Sequence, residues 1–95
     1  MNQVSSKLRR GESAYFHWCP GCNEMHPLPD GWQFDGNLEK PTFSPSFKHD
    51  GWVGGKIGVC HYLLIKGKLH FQNDCTHDLN SKVVELPDLP EGCID

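Results

Sequence analysis

The run Cys19-Pro20-Gly21-Cys22 limits what this chain can fold into more than any other feature. Two residues between cysteines let both thiolates turn onto one ion, and the glycine permits the tight loop. Zinc in a structural site takes four ligands, mostly thiolate and imidazole, in a tetrahedron. Two more donors must therefore come from His26, Cys60, His61, Cys75 and His77. The competing use of such a pair, a thioredoxin-like redox motif, needs a helix after the first cysteine. Pro27, Pro29 and Gly31 leave little room for one. With 95 residues, 37% hydrophobic, 10 Gly and 7 Pro, the chain can build only a lean core and calls for a staple. Its 5 Cys are an odd number, against a complete disulfide framework. The first ten residues lack the apolar stretch of a secretory signal. Both points favour a reducing cytoplasm and metal over disulfides. Cys93, past Pro87 and Pro90, reads as a bystander thiol.

The formal net charge is -3 and the pI near 6.0, so a basic footprint for nucleic acid is missing overall. Lys7, Arg9 and Arg10 read as a solvated start. No run reaches the ~18 apolar residues of a membrane span. A homodimer through an edge strand would suit so lean a core.

The pattern is mainly β: about six short antiparallel strands with Gly- and Pro-rich loops around the metal. Residues 1–12 form a flexible lead-in or an edge strand, and 13–95 a single zinc-binding domain. Ala14 to Trp18 is aromatic and strand-like, Pro27 to Gly31 marks a turn, and Trp32 to Phe34 is a short strand ending at Asp35-Gly36-Asn37. Pro41 to Phe47 alternates apolar and hydroxyl residues, and its prolines restrict it to an edge strand or ordered loop. His49 to Gly58, with four glycines, reads as a loop. Val59 to Ile65 and Lys68 to Phe71 form a hairpin turning at Lys66-Gly67. Lys82 to Leu86 is the last strand, after a short helical turn around Thr76 to Ser81.

The hairpin register sorts the donors. With Lys66 and Gly67 in the turn, Cys60 shares a face with Tyr62, Leu64, Leu69 and Phe71, because side chains alternate along a strand. Cys75 and His77 continue that face, whereas His61 and Asp74 fall on the other. Cys60 with either Cys75 or His77 is then the favoured second half of the site.

The chain also resembles a group of small phage and prophage proteins of uncharacterised function. The resemblance lies in Trp18-Cys19-Pro20-Gly21-Cys22 with His26, Gly31-Trp32-Gln33-Phe34-Asp35-Gly36-Asn37, Pro41-Thr42-Phe43-Ser44-Pro45-Ser46, Cys60-His61, Gly67 and Asp74-Cys75-Thr76-His77. It spans Trp18 to about Leu86. Leu79-Asn80 departs from the Ala-Gly usual there. Some of these proteins are labelled "ammonia monooxygenase", which a chain without membrane spans does not fit. The resemblance implies a zinc-ribbon-like β domain and no established activity. In that group the position of Cys75 can be Ser while those of Asp74 and His77 recur. It therefore selects His77, giving the zinc set Cys19, Cys22, Cys60 and His77, with Cys75, His61 and His26 in reserve.

Outside that set, His26, Thr42, Ser44, Ser46, His61 and Asp74 accompany Trp32, Phe43 and Phe47. Asp74 on the face of His61 could orient its ring and fix its tautomer. Polar groups beside aromatic faces make a small pocket for a ligand such as a nucleotide. The bland alternative is turn capping and core packing. The resulting expectation is a non-enzymatic phage accessory protein that binds a host protein, a defence or regulatory component. The alternatives are a nucleotide-binding or sequestering protein and a zinc-dependent hydrolase. A deaminase is excluded, because Glu24 and His26 follow the cysteines instead of preceding them.

Overall fold

The computed structural model describes residues 2–53 and 55–90. Cys93 lies outside them. Nine strands form two antiparallel sheets, and the described residues include no helix. The first sheet holds β1 (Asn2–Gln3), β2 (Arg9–Arg10), β3 (Ala14–Cys19) and β4 (Glu24–Pro29), in chain order. The second holds β5 (Gln33–Phe34), β6 (Phe43–Val53), β7 (Lys56–Ile65), β8 (Lys68–Phe71) and β9 (Val83–Glu85), also in chain order.

The sheets meet face to face through aromatic rings. Tyr15 of β3 lies 5.3 Å from Phe34, and His26 of β4 stacks on Phe47 of β6 at 4.6 Å. Tyr62 of β7, fully buried, sits between Phe47 at 4.9 Å and Phe71 at 5.6 Å. The hairpin at Lys66-Gly67 has the expected register: Ile65 faces Lys68 and Leu63 faces His70. Cys60, Tyr62, Leu64, Leu69 and Phe71 accordingly all point into the core.

Four segments differ from the sequence reading. Pro41 to Phe47 is neither edge strand nor loop: its strand β6 lies inside the second sheet, with Phe43 paired to Phe34 of β5 and to Leu64 of β7, and Pro45 falls where β5 has ended. His26 to Pro29 continues as strand β4, because an edge strand tolerates prolines that cannot donate to a ladder. His49 to Gly58 is not a loop but most of a long hairpin, Phe43–Val53 with Lys56–Ile65. Gly51 and Gly58 face each other in it, and a side chain at Gly58 would collide with Thr76. These glycines make room for a neighbouring turn instead of breaking the strands. Thr76 to Ser81 contains bends and turns, not a helical turn.

Candidate active site and metal centre

Strand β3 ends at Cys19, and the tight turn that follows brings Cys22 back under it. The Cys22 N–H donates to Cys19 Sγ at 3.4 Å. Cys60, pointing inward from β7, places its sulfur 3.8 Å from that of Cys19. His26, opposite His17 in the β3–β4 ladder, completes the group. Ligand atoms of Cys19, Cys22, His26 and Cys60 lie within 4.8 Å of one another, and all four residues are buried. S–H bonds from Cys22 and Cys60 hold the Cys19 thiol down at about 2. Cys22 is pushed up to about 12, and Cys60 is raised as well, chiefly by hydrogen bonding to Cys19. A bound divalent ion would let all three thiols ionise.

The hydrogen bonds around the two candidate histidines decide which of them offers a lone pair. The Trp18 carbonyl, 3.2 Å from His17 Nδ1, can only accept, so that nitrogen carries the proton. His17 is kept neutral, with its pKa lowered to about 4 by burial, so its Nε2 accepts from the Tyr62 hydroxyl. With its proton committed there, the Tyr62 oxygen accepts from His26 Nδ1 at 3.1 Å. Burial also lowers the His26 pKa. Neutral His26 is left with a bare Nε2, a buried atom with no hydrogen-bond partner. The nearest carboxylate oxygen, on half-exposed Glu24, is 3.6 Å away. A buried acceptor without a partner is costly, and a metal ion would satisfy it.

His77, taken as fourth ligand on the resemblance, borders the same cluster with Nε2 3.4 Å from Cys60 Sγ. Its Nδ1, however, accepts the Leu79 N–H at 3.2 Å, so in the neutral ring Nε2 holds the proton and donates to Cys60. Its place is that of a donor to the Cys60 sulfur, packed so closely that any side chain at Gly21 would strike its ring. His26→Ala is expected to lose the metal. His77→Ala should keep one metal per chain, with affinity lowered about 10–100-fold, as is typical for a hydrogen-bond partner of a ligand. Elemental analysis with a competing chelator reads both, and the reverse pattern would return the fourth position to His77.

On the opposite face of β7, the residue after Cys60 begins a second constellation. His61 Nδ1 lies 3.1 and 3.2 Å from the two carboxylate oxygens of Asp74. Its Nε2 lies 3.3 Å from Ser46 Oγ. The carboxylate can only accept, so Nδ1 carries the proton and Nε2 turns a lone pair toward the Ser46 hydroxyl. Ser46 reaches this place through an irregularity in β6. Phe43 pairs with Leu64 and Phe47 with Tyr62, so β6 spends two extra residues over that stretch. Asp74 is held by its neighbours: the Cys75 thiol donates to the His61 carbonyl at 3.0 Å and accepts the His61 N–H at 3.2 Å. Thr76 Oγ1 accepts the Val59 N–H at 2.9 Å. Lys48, paired with His61 across the hairpin, brings its ammonium 3.9 Å from Asp74.

Of the six residues expected to line a ligand pocket, Ser46, His61 and Asp74 converge. Thr42 instead accepts the Lys66 N–H at 2.8 Å, and Ser44 bonds Gln33 at 3.2 Å. Both line a shallow recess of about 250 Å³ with Gln33, Phe34 and Asp35. His26 belongs to the metal cluster. The sequence reading missed His17 and Tyr62, which set the His26 tautomer. Alternation along Tyr15, His17 and Cys19 was the available signal that His17 faces the cluster.

No curated protein and no solved structure matches the chain. A family model described as "Bacterial ubiquitination-like system serine protease (BubE)" matches residues 2–72. That span contains Ser46, His61 and the four clustered Cys and His residues, and ends two positions before Asp74. With most of its length matched, the chain belongs to the BubE family.

Proposed function

We propose that this protein is a serine peptidase of a bacterial ubiquitination-like system, with Ser46 as nucleophile, His61 as general base and Asp74 as the carboxylate that orients it. The observation that carries this reading is the continuous relay from Asp74 through His61 to Ser46, at 3.1 and 3.3 Å. It has the geometry by which a triad is recognised whatever the fold or chain order. The family description supplies the reaction class. This replaces the expectation of a non-enzymatic protein that binds a host component.

Ser46 Oγ attacks the scissile carbonyl carbon while its proton passes to His61 Nε2. Asp74 stabilises the resulting imidazolium through Nδ1–H. Collapse of the tetrahedral species breaks the C–N bond, and His61 returns the proton to the departing amine. Water, deprotonated by the same nitrogen, then hydrolyses the acyl-serine and regenerates the hydroxyl.

The metal in this reading is zinc, held by Cys19, Cys22, His26 and Cys60 in a reducing cytoplasm where free thiols persist. Three thiolates and an imidazole suit it. Four buried protein ligands leave no open coordination position, so the ion staples the two sheets and takes no part in hydrolysis. Only the Cys19–Cys22 turn supports the name zinc ribbon for the fold.

A fluorophosphonate tests the nucleophile. The expected result is one phosphonylated residue per chain, mapped by mass spectrometry to Ser46 and absent from His61→Ala. A label on another serine, or none, would sink the assignment.

A further inference from the structure

Beyond the triad, the face of the second sheet that carries it leads outward to a pair of large apolar side chains. β6 and β7 pair without interruption from Phe47–Tyr62 to Val53–Lys56. Side chains alternate, so every second pair shares the face of His61. These are Lys48–His61, Asp50–Val59 and Trp52–Ile57. The intervening pairs, Phe47–Tyr62 and His49–Cys60, point into the core. Trp52 is 64% exposed and Ile57 74% exposed, the largest exposures among the big hydrophobic residues described. A tryptophan and an isoleucine paired in solvent form an exposed apolar patch, and tryptophan is enriched among the hot spots of protein contacts.

We propose that Trp52 and Ile57 form an exosite for the folded body of the protein substrate, while its extended tail reaches Ser46. The proposal rests on the peptidase reading. Two observations select this occupant. The patch is continuous with the triad face, and His61 lies four residue steps along β7 from Ile57, roughly 13 Å at about 3.3 Å per residue. A tail of about four extended residues spans that distance. Asp50 lies between patch and triad, and Lys48 stands across from His61; both are exposed and offer one charge of each sign to a passing polar backbone. The substrate body is therefore a folded protein with an apolar surface patch close to the root of a flexible tail.

The test compares two substrates on the full, metal-loaded chain. One is a ubiquitin-like protein with a fluorescent peptide joined to its C terminus. The other is 4-methylumbelliferyl acetate, which reports Ser46 chemistry alone. Trp52→Ala and Ile57→Asp should each lower kcat/KM on the fusion by about tenfold or more, mainly through KM. Ester hydrolysis should stay within about twofold of wild type. Equal losses on both substrates, or none on either, would overturn the exosite. So would a wild type that hydrolyses the ester but leaves the fusion intact. A wild-type dimer that Trp52→Ala converts to monomer, with the fusion cleaved unchanged, would assign the patch to a second copy instead. The peptidase reading itself fails only if no Ser46-dependent turnover of either substrate is found.

Discussion

Ser46→Ala should reduce peptide and ester hydrolysis by at least about 10³-fold while leaving the fold intact, and Asp74→Asn should cost about 10⁴-fold in kcat. The serine substitution removes a half-buried hydroxyl with one side-chain partner, His61, so its structural cost is confined to a single hydrogen bond. Asp74→Asn acts differently. The amide can turn an N–H toward Nδ1, which moves the proton to Nε2 and leaves no lone pair for Ser46. Because the three groups act as a unit, Ser46→Ala combined with His61→Ala should be no slower than either alone. The measurement is steady-state turnover, with circular dichroism on every variant. Ser46→Ala at more than a tenth of wild-type rate would disprove the triad.

The largest effect on stability should follow removal of the metal. Structural zinc in small domains is worth about 10–16 kcal/mol of apparent binding energy, more than a lean core provides. The four clustered residues come from β3, its following turn, β4 and β7, so an ion held by them would join the two sheets. Stripping it with a chelator, or replacing Cys60 by Ser, should abolish the near-ultraviolet spectrum of the buried aromatics and the turnover together. Restored zinc should bring both back in the stripped wild type and not in Cys60→Ser. A metal-free chain with a native spectrum and unchanged thermal midpoint would refute the staple.

What could be read from the residues followed local geometry. The Lys66-Gly67 turn fixes the hairpin register, and register alone puts Cys60 with the core residues and His61 with Asp74 outside. Ser46 was visible as a candidate, but its partnership was not. Its contact with His61 depends on an irregularity in β6 whose length no local pattern announces. The prolines of β4 obscured a strand, because the same residues mark turns and edge strands. His26 and His77 could not be separated by spacing. The difference lies in which ring nitrogen meets Tyr62 or the Leu79 N–H, and those contacts exist only after the sheets have docked.

Cys60 and His61 are adjacent residues serving opposite sides of one strand, and this makes β7 unforgiving of changes in length. Deleting or inserting a single residue between them and the Lys66-Gly67 turn would exchange the two faces. The imidazole would then turn toward the metal and the thiol toward the substrate, so both sites would fail at once. The spacing between this pair and the turn is therefore locked. Drift in chain length can be absorbed at the far tip, near Gly55, where no residue of either site depends on the count.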